Sequence, residues 1–545
     1  MINRVRKCLF FSIFWISITF PAFSQQLESG SISKDWFLKD PVADRVQGIS
    51  AEKAYQTLLK NQPSRTIIVA VVDSGVDIDH EDLRNVIWTN EGEIPDNGID
   101  DDINGYIDDV HGWNFIGGKD GNVNQDTDEF TRAYVKLKKQ FEGVDEKKIS
   151  KKEKPAYEEY IKAKQKFEKL VAENTEQYEL YNNLYQNVSL SVDTLKVLLM
   201  TDSLTQDLVQ SFESSEPNLL FAKGFVLNIF RNIGTENSIE EFVSELKEAA
   251  EHFQQIVEYG YNEDFDPRSI VGDNYNDPYE KGYGNNDVKG PDAMHGTHVA
   301  GIIAADRNND IGIKGIADNV RIMSVRTVPN GDERDKDVAN AILYAVDNGA
   351  HIINMSFGKS TSPRKEVVDK AVKYAVQKGV LLIHAAGNES DDIDVEKNYP
   401  TRFYLDGSEA KNWLEVGASS WGADKDFVGS FSNYGKKSVD LFAPGVEIYS
   451  TVPDNKYKDL NGTSMASPVT AGVAAVIMSY FPEFTALEVK EIIRQSTRKF
   501  DNLKINMPGS KGEIEFSQMS STGGLINLYE AVNLAQELKV KKLSK

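Results

Sequence analysis

The chain has 545 residues, 40% of them apolar and 27% charged, enough to bury a large core and to hold more than one domain. Sixty-one lysines and arginines stand against 84 aspartates and glutamates, a formal net charge of −23. That balance favours solubility and argues against nucleic acid as a partner.

The first segment reads as a secretory signal, residues 1–24. Arg4, Arg6 and Lys7 form a basic start, and the apolar run from Cys8 to Phe20 is too short for an ordinary membrane span. Ala22-Phe-Ser24 supplies the small residues expected before a cut, placed after Ser24. The expected location is secreted or periplasmic, with no stable membrane span after cleavage. Cys8 is the single cysteine, so the processed chain would have neither disulfide nor thiol chemistry.

Ile67 to Val72 is β-branched and uninterrupted, the form of a buried parallel strand. It ends in Asp73-Ser-Gly75. A carboxylate there is either a turn residue or a functional group at the carboxyl end of a strand. Further on, Asp100, Asp102, Asn104 and Asp108 alternate as in a calcium loop, with Gly105 at the turning position. His111 stands where such a loop has its terminal glutamate, so the loop is incomplete, and a solvated acidic turn is the other reading.

Residues 126–261 change in character. They are rich in Glu, Lys, Gln and Leu, and Tyr157, Tyr160, Ile161, Phe167, Leu170 and Val171 recur at helical spacing. Ser238-Ile-Glu-Glu241 predicts a capped helix start. This stretch is expected to be an inserted subdomain of three to five helices.

Strand-like runs at 320–325, 350–355 and 380–384 then alternate with helical stretches at 296–305, 337–348, 364–378 and 465–480. The alternation predicts an α/β fold: a doubly wound, mainly parallel sheet with helices on both faces. Within it, His295-Gly-Thr-His298 offers a base. Asn388 follows the 380–384 run in Ala385-Ala-Gly-Asn-Glu389, as a turn residue or as an amide donor. Gly462-Thr-Ser-Met-Ala-Ser-Pro468 puts Ser464 at a helix start, where it is either a cap or a nucleophile facing free backbone N–H groups. A serine nucleophile needs a base, and the base needs an orienting acid.

Four such signals in the order Asp, His, Asn, Ser reinforce one another. Val72-Asp-Ser-Gly75, His295-Gly-Thr-His-Val-Ala-Gly301, Ala386-Gly-Asn388 and Gly462 to Pro468 resemble the signature blocks of subtilisin-like serine proteases, the subtilases. The resemblance covers about residues 34–125 and 262–535. It implies a serine endopeptidase acting on proteins or peptides through an acyl-enzyme. Asp73 would orient His295, His295 would serve Ser464 as base and acid, and Asn388 would help hold the oxyanion. Ser356-Phe357-Gly358 would be the strand that pairs with substrate. Asp82 and Asn309, with the carbonyls of Ile311 and Ile313, match positions that hold a structural calcium in related proteases; no organic cofactor is implied. His298 would be structural, and His80, His111, His252, His351 and His384 would be surface or packing residues, with His384 near the S1 pocket.

The resemblance divides the chain into a split catalytic domain (25–125 and 262–538), the helical insertion (126–261) and a basic tail (539–545). Two departures stand out. Asp73 and His295 are 222 positions apart, far more than in most subtilases. Only about ten residues separate the predicted cut from Lys34-Asp-Trp-Phe37, which leaves no room there for a domain-sized propeptide. A degenerate scaffold that only binds is the alternative function. A related acid peptidase is disfavoured, since it would need a glutamate for His295 and an aspartate for Asn388.

Overall fold

The run at Ile67 forms the strand Ile67–Asp73, buried along nearly its whole length, in a computed structural model that describes residues 32–233 and 238–544. Residues 34–545 make one compact unit. The predicted signal, 1–24, lies outside the described residues. No helix among those described is long and apolar enough to cross a membrane.

Ile67–Asp73 lies inside a nine-stranded sheet. In sheet order the strands are Arg498–Lys499, Gly524–Leu525, Leu441–Pro444, Trp413–Ser419, Leu381–Ala385, Ile352–Met355, Ile67–Asp73, Val320–Arg326 and Gly112–Asn114. All neighbours pair in parallel except the edge strand Arg498–Lys499. After Ile67–Asp73 the chain adds Val320–Arg326 on one side and Ile352–Met355 on the other. Asp73 therefore ends a strand where the winding reverses, the place at which open α/β sheets form their crevices.

Two helices bring functional residues to this crevice. Met294–Ala304 carries His295 in its first turn and is buried from Gly296 onward. A Cβ on Gly296 would lie 2.1 Å from the Gly75 carbonyl oxygen and 3.2 Å from Asp73 Cβ, so only glycine lets the helix start press against the Asp73 turn. The Ser450 and Thr451 hydroxyls donate to the His298 and Thr297 carbonyls, both at 2.8 Å, and fix the helix from its other side. In Thr463–Tyr480 every residue is buried except Ser464. Each large apolar side chain buried there contributes roughly 1.5–3 kcal/mol, which holds the helix rigidly behind its one accessible serine.

The insertion holds five α-helices: Glu129–Phe141, Lys154–Leu199, Gln206–Ser211, Pro217–Ile233 and Ile239–Gln255. Lys154–Leu199 has 46 residues and is about 69 Å long. Its aromatic seam (Tyr160, Phe167) packs on Tyr134 and Phe141, and further along it Val188, Val192 and Leu195 pack with Val226, Phe230 and Leu246. Ser238 caps Ile239–Gln255 by accepting from the Glu240 and Glu241 N–H groups.

Charged pairs root this arm beside the crevice. The Gly260 carbonyl accepts from the Asp128 N–H at 3.0 Å and the Thr131 hydroxyl at 2.7 Å. Glu129 accepts from Arg132 at 2.9 Å and from buried Lys359 at 3.0 Å. Lys359 also donates to the Glu333 carbonyl at 2.6 Å. Burial raises the Glu129 carboxyl, but Arg132 and Lys359 outweigh it and bring it down to about 2. At Glu333 burial outweighs the Lys359 charge and pushes the carboxyl up to about 8, and one of its oxygens has no hydrogen-bond partner.

Such a raised carboxyl stabilises the fold below its unfolded value of 4.5, and the contribution is lost as pH rises toward 8. Glu333→Gln removes that loss. Its stability gain over the parent is expected to be roughly 2 kcal/mol at pH 8–9 and near zero at pH 4. Denaturant melts at the two pH values check this, and an equal shift at both would sink it.

Beyond Gly523 the chain forms the short strand Gly524–Leu525 and then the helix Leu528–Leu543, capped by Asn527. The supposed basic tail is mostly the end of that helix, because Lys542 reaches the Glu488 carboxylate and the Glu483 carbonyl. Of the histidines read as surface or packing residues, His80 and His384 are buried and His351 is half-buried; His80 accepts from the Asp82 N–H and His351 from the Ile68 N–H.

Candidate active site

Asp73 is 1% exposed. Its Oδ1 accepts from the Ser74 N–H at 2.8 Å and lies 2.7 Å from His295 Nδ1. Its backbone carbonyl accepts from the Thr327 and Val328 N–H groups, which pins the strand end. With Nδ1–H directed at Asp73, the other imidazole nitrogen carries the lone pair. Burial lowers the His295 pKa, but the Asp73 charge and hydrogen bond outweigh it, so the net shift is upward from 6.5.

Ser464 is tied to Ser356 from both ends. Pro468 has no N–H, so the Ser464 carbonyl lacks its helical partner four residues on, and the Ser356 hydroxyl donates to it at 2.9 Å. Ser464 Oγ in turn donates to the Ser356 carbonyl at 3.1 Å, and no hydrogen bond joins it to His295. Asn354 braces the pair, donating to Ser356 Oγ at 2.9 Å and accepting from Ser467 Oγ at 2.7 Å.

Asn388 Oδ1 accepts from the Thr463 N–H at 2.9 Å and from the Thr463 hydroxyl at 3.0 Å. Because the Thr463 N–H can only donate, this contact identifies the amide oxygen and leaves Nδ2 as the free donor. A Cβ placed on Gly462 would lie 3.5 Å from Ser464 N and 3.7 Å from Asn388 Nδ2. The two N–H donors therefore flank one small space beside Ser464.

Asn433, which no sequence signal singled out, shapes the Asn388 loop. It donates to the Ala386 carbonyl and the Glu389 carboxylate, and it accepts from the Glu389 and Asp391 N–H groups. Ser356 is buried, Phe357 half-buried and Gly358 exposed. Gly358 lies against the Asn398 amide, which donates to the Ala385 carbonyl at 3.0 Å. His298 Nε2 faces the Lys458 carbonyl at 2.9 Å, and burial holds its pKa down to about 3, so it is a neutral structural donor.

The candidate metal residues behave in two ways. Asp82 is fully buried; its carboxylate accepts from Asn309 Nδ2 at 2.7 Å and the Ile313 N–H at 3.0 Å, and Ile311 N–H donates to Asn309 Oδ1. Burial raises its pKa, and no lysine or arginine among the described residues pairs with it. Among the described residues Asp82 meets only N–H groups and the Tyr457 hydroxyl, so its buried charge has no cationic side chain, and carboxylate and amide oxygens of this kind are hard-cation ligands. The second group does not hold together. Asp108 turns away to accept from the Asn97 and Gly98 N–H groups, and Asn104 Oδ1 caps Tyr106 N–H. Asp100 and Asp102 instead lie close to Glu93, a residue the alternating pattern missed.

Comparison with known proteins bears on the family of the chain. Residues 64–513 match the subtilase family, Peptidase_S8. A thermophilic serine proteinase of Bacillus sp. (strain AK1) is 35% identical over 300 residues, which are 53% of this chain and 68% of that protein. A thermostable alkaline protease of Halalkalibacterium halodurans is 38% identical over 203 residues, 37% of this chain and 52% of its own length. A solved protease from Pseudoalteromonas arctica PAMC 21717 superposes with a TM-score of 0.38 at 26% identity, over 46% of this chain and 78% of that one. The family match spans most of the chain, from before the Asp73 strand to beyond the Ser464 helix, and the chain is therefore a member of the subtilase family of serine endopeptidases.

Proposed function

We propose that this subtilase is exported and cleaves proteins or peptides through an acyl-enzyme formed on Ser464. The reading rests on one observation above others: the Ser464 N–H and Asn388 Nδ2 flank a single space beside the accessible serine, while Asp73 braces His295. Ser464 Oγ would swing from the Ser356 carbonyl to the lone pair of His295, as catalytic contacts often tighten only with substrate bound. His295 takes the hydroxyl proton as Oγ attacks the carbonyl carbon. The oxyanion settles between the two N–H donors. His295 then protonates the leaving amine, and water repeats the sequence to free the acid. Export is supported by Arg4 to Ser24 in the sequence alone.

The full chain without residues 1–24, treated with a fluorophosphonate probe, is expected to carry the label on Ser464, and Ser464→Ala to carry none. No label on the folded protein would overturn the reading and favour the binding scaffold.

We also propose calcium at Asp82, with the Asn309 carbonyl and the Ile311 and Ile313 carbonyls as further oxygen ligands and water completing the shell. A hundredfold excess over Kd would stabilise the fold by about 2.7 kcal/mol. Calcium is expected to raise Tm by several degrees in the parent and not in Asp82→Asn. Equal shifts in both proteins would remove the assignment.

A further inference from the structure

His384 is 0% exposed and sits in the middle of the sheet. It lies in register with Glu415 on the next strand and with Met355 on the other side. Its Nδ1 is 2.7 Å from Glu415 Oε1, and its Nε2 is 2.8 Å from the Phe357 carbonyl oxygen. The second Glu415 oxygen accepts from Trp413 Nε1 at 2.7 Å. The Trp413 and Phe357 rings enclose the imidazole at 5.4 and 6.3 Å. The charged groups behind Glu415 are Asp440, which accepts the Glu415 N–H at 2.9 Å, and its partners Arg402 and Arg494.

Both contacts of the ring need a proton. A carbonyl oxygen can only accept, so Nε2 must carry hydrogen. A nitrogen and a carboxylate oxygen 2.7 Å apart need a proton between them. The pair therefore holds one proton more than a neutral imidazole beside a carboxylate would. If that proton leaves, a lone pair faces either the carboxylate or the Phe357 carbonyl.

Phe357 links this to Ser464. Successive carbonyls of extended backbone point to opposite sides. With the Phe357 carbonyl held toward the sheet by His384, the Ser356 carbonyl is free to face Ser464 Oγ at 3.1 Å. His384 thus sets the rotation of Ser356–Gly358 about its own axis.

We propose that His384 and Glu415 are a positioning pair for substrate: they hold the Ser356–Gly358 wall at the angle at which it receives the peptide. This rests on the reading of Ser464 as nucleophile and of Ser356–Gly358 as the substrate strand. Labelling of the parent by fluorophosphonate tests the nucleophile separately and first.

The test compares peptide hydrolysis and the rate of fluorophosphonate labelling in the full processed chain, with His384→Ala and Glu415→Gln. His384→Ala is expected to lower peptide kcat/KM by about tenfold or more while labelling stays within about twofold, because the small probe does not lean on the wall. In Glu415→Gln the amide donates to Nδ1 and accepts from Trp413, so a neutral His384 keeps its bond to Phe357. That variant is expected to keep most of the peptide kcat/KM that His384→Ala loses. Unchanged peptide kcat/KM in His384→Ala, or equal loss of hydrolysis and labelling, would overturn the proposal. If His384→Ala does not fold, Glu415→Ala decides, and peptide kcat/KM unchanged from the parent, or lost equally with labelling, overturns it.

Discussion

Replacing Ser464 by alanine is expected to lower kcat for peptide hydrolysis by roughly a millionfold, about 8 kcal/mol of barrier. Adding His295→Ala to it is expected to cost little more, because base and nucleophile act as one unit. The geometry gives the reason. His295 has a task only if Ser464 offers it a proton, and the Asp73 contact at 2.7 Å only orients and supports the ring. Single-turnover kinetics on the two single variants and the double variant measure this. Losses that add would mean that the residues work separately. The same pair sets the acid limb of the pH profile. Asp73 raises the His295 pKa above 6.5, and only the neutral ring accepts a proton. Parent kcat/KM is therefore expected to climb as pH rises through that raised value, and Asp73→Asn to shift the climb to lower pH.

The second large effect is at Asn388. Asn388→Asp is expected to reduce kcat by about 10²–10³-fold or more, with KM nearly unchanged, since the lost donor meets charge that exists only in the transition state. Aspartate is the informative replacement because its carboxylate still accepts from the Thr463 N–H and hydroxyl, the contacts that tie the loop to the Ser464 helix. Its Tm should stay near that of the parent. A fall in KM-limited binding with kcat preserved would show that Asn388 is a structural clamp only.

Where a stretch of chain declares itself locally, the reading of the sequence and the structure coincide. The predicted strands at 67–72, 320–325 and 380–384 lie within one residue of those observed, since buried β-branched runs have few other options. The strands Trp413–Ser419 and Leu441–Pro444 were not anticipated. The first carries Glu415 and Gly417 among its apolar residues, and the second is four residues long, so neither shows a run. Glu415 is tolerated there because its carboxylate meets His384 on the neighbouring strand and Trp413 on its own. In the acidic 100–108 loop, alternation in sequence suggested a common centre, whereas the fold brings Asp100 and Asp102 together with Glu93 and turns Asp108 to the Asn97 and Gly98 N–H groups.

By itself the sequence determined the α/β alternation, the helical character of 126–261, and the motifs that single out Asp73, His295, Asn388 and Ser464. These follow from preferences that act within a few residues: strand and helix periodicity, caps, and the need for glycine or proline at particular turns. Only the tertiary structure decided what each of those side chains faces. Asp73 meets His295 across 222 positions because a parallel strand and a helix start converge where the winding reverses. Ser464 leans on Ser356 because Pro468 frees a carbonyl, and His384 finds Glu415 because two strands lie in register. The arm is rooted on Lys359 by Glu129, 230 positions away. Such partners are chosen by sheet register and by the cost of burying an unpaired charge, and neither is written in the local order of residues.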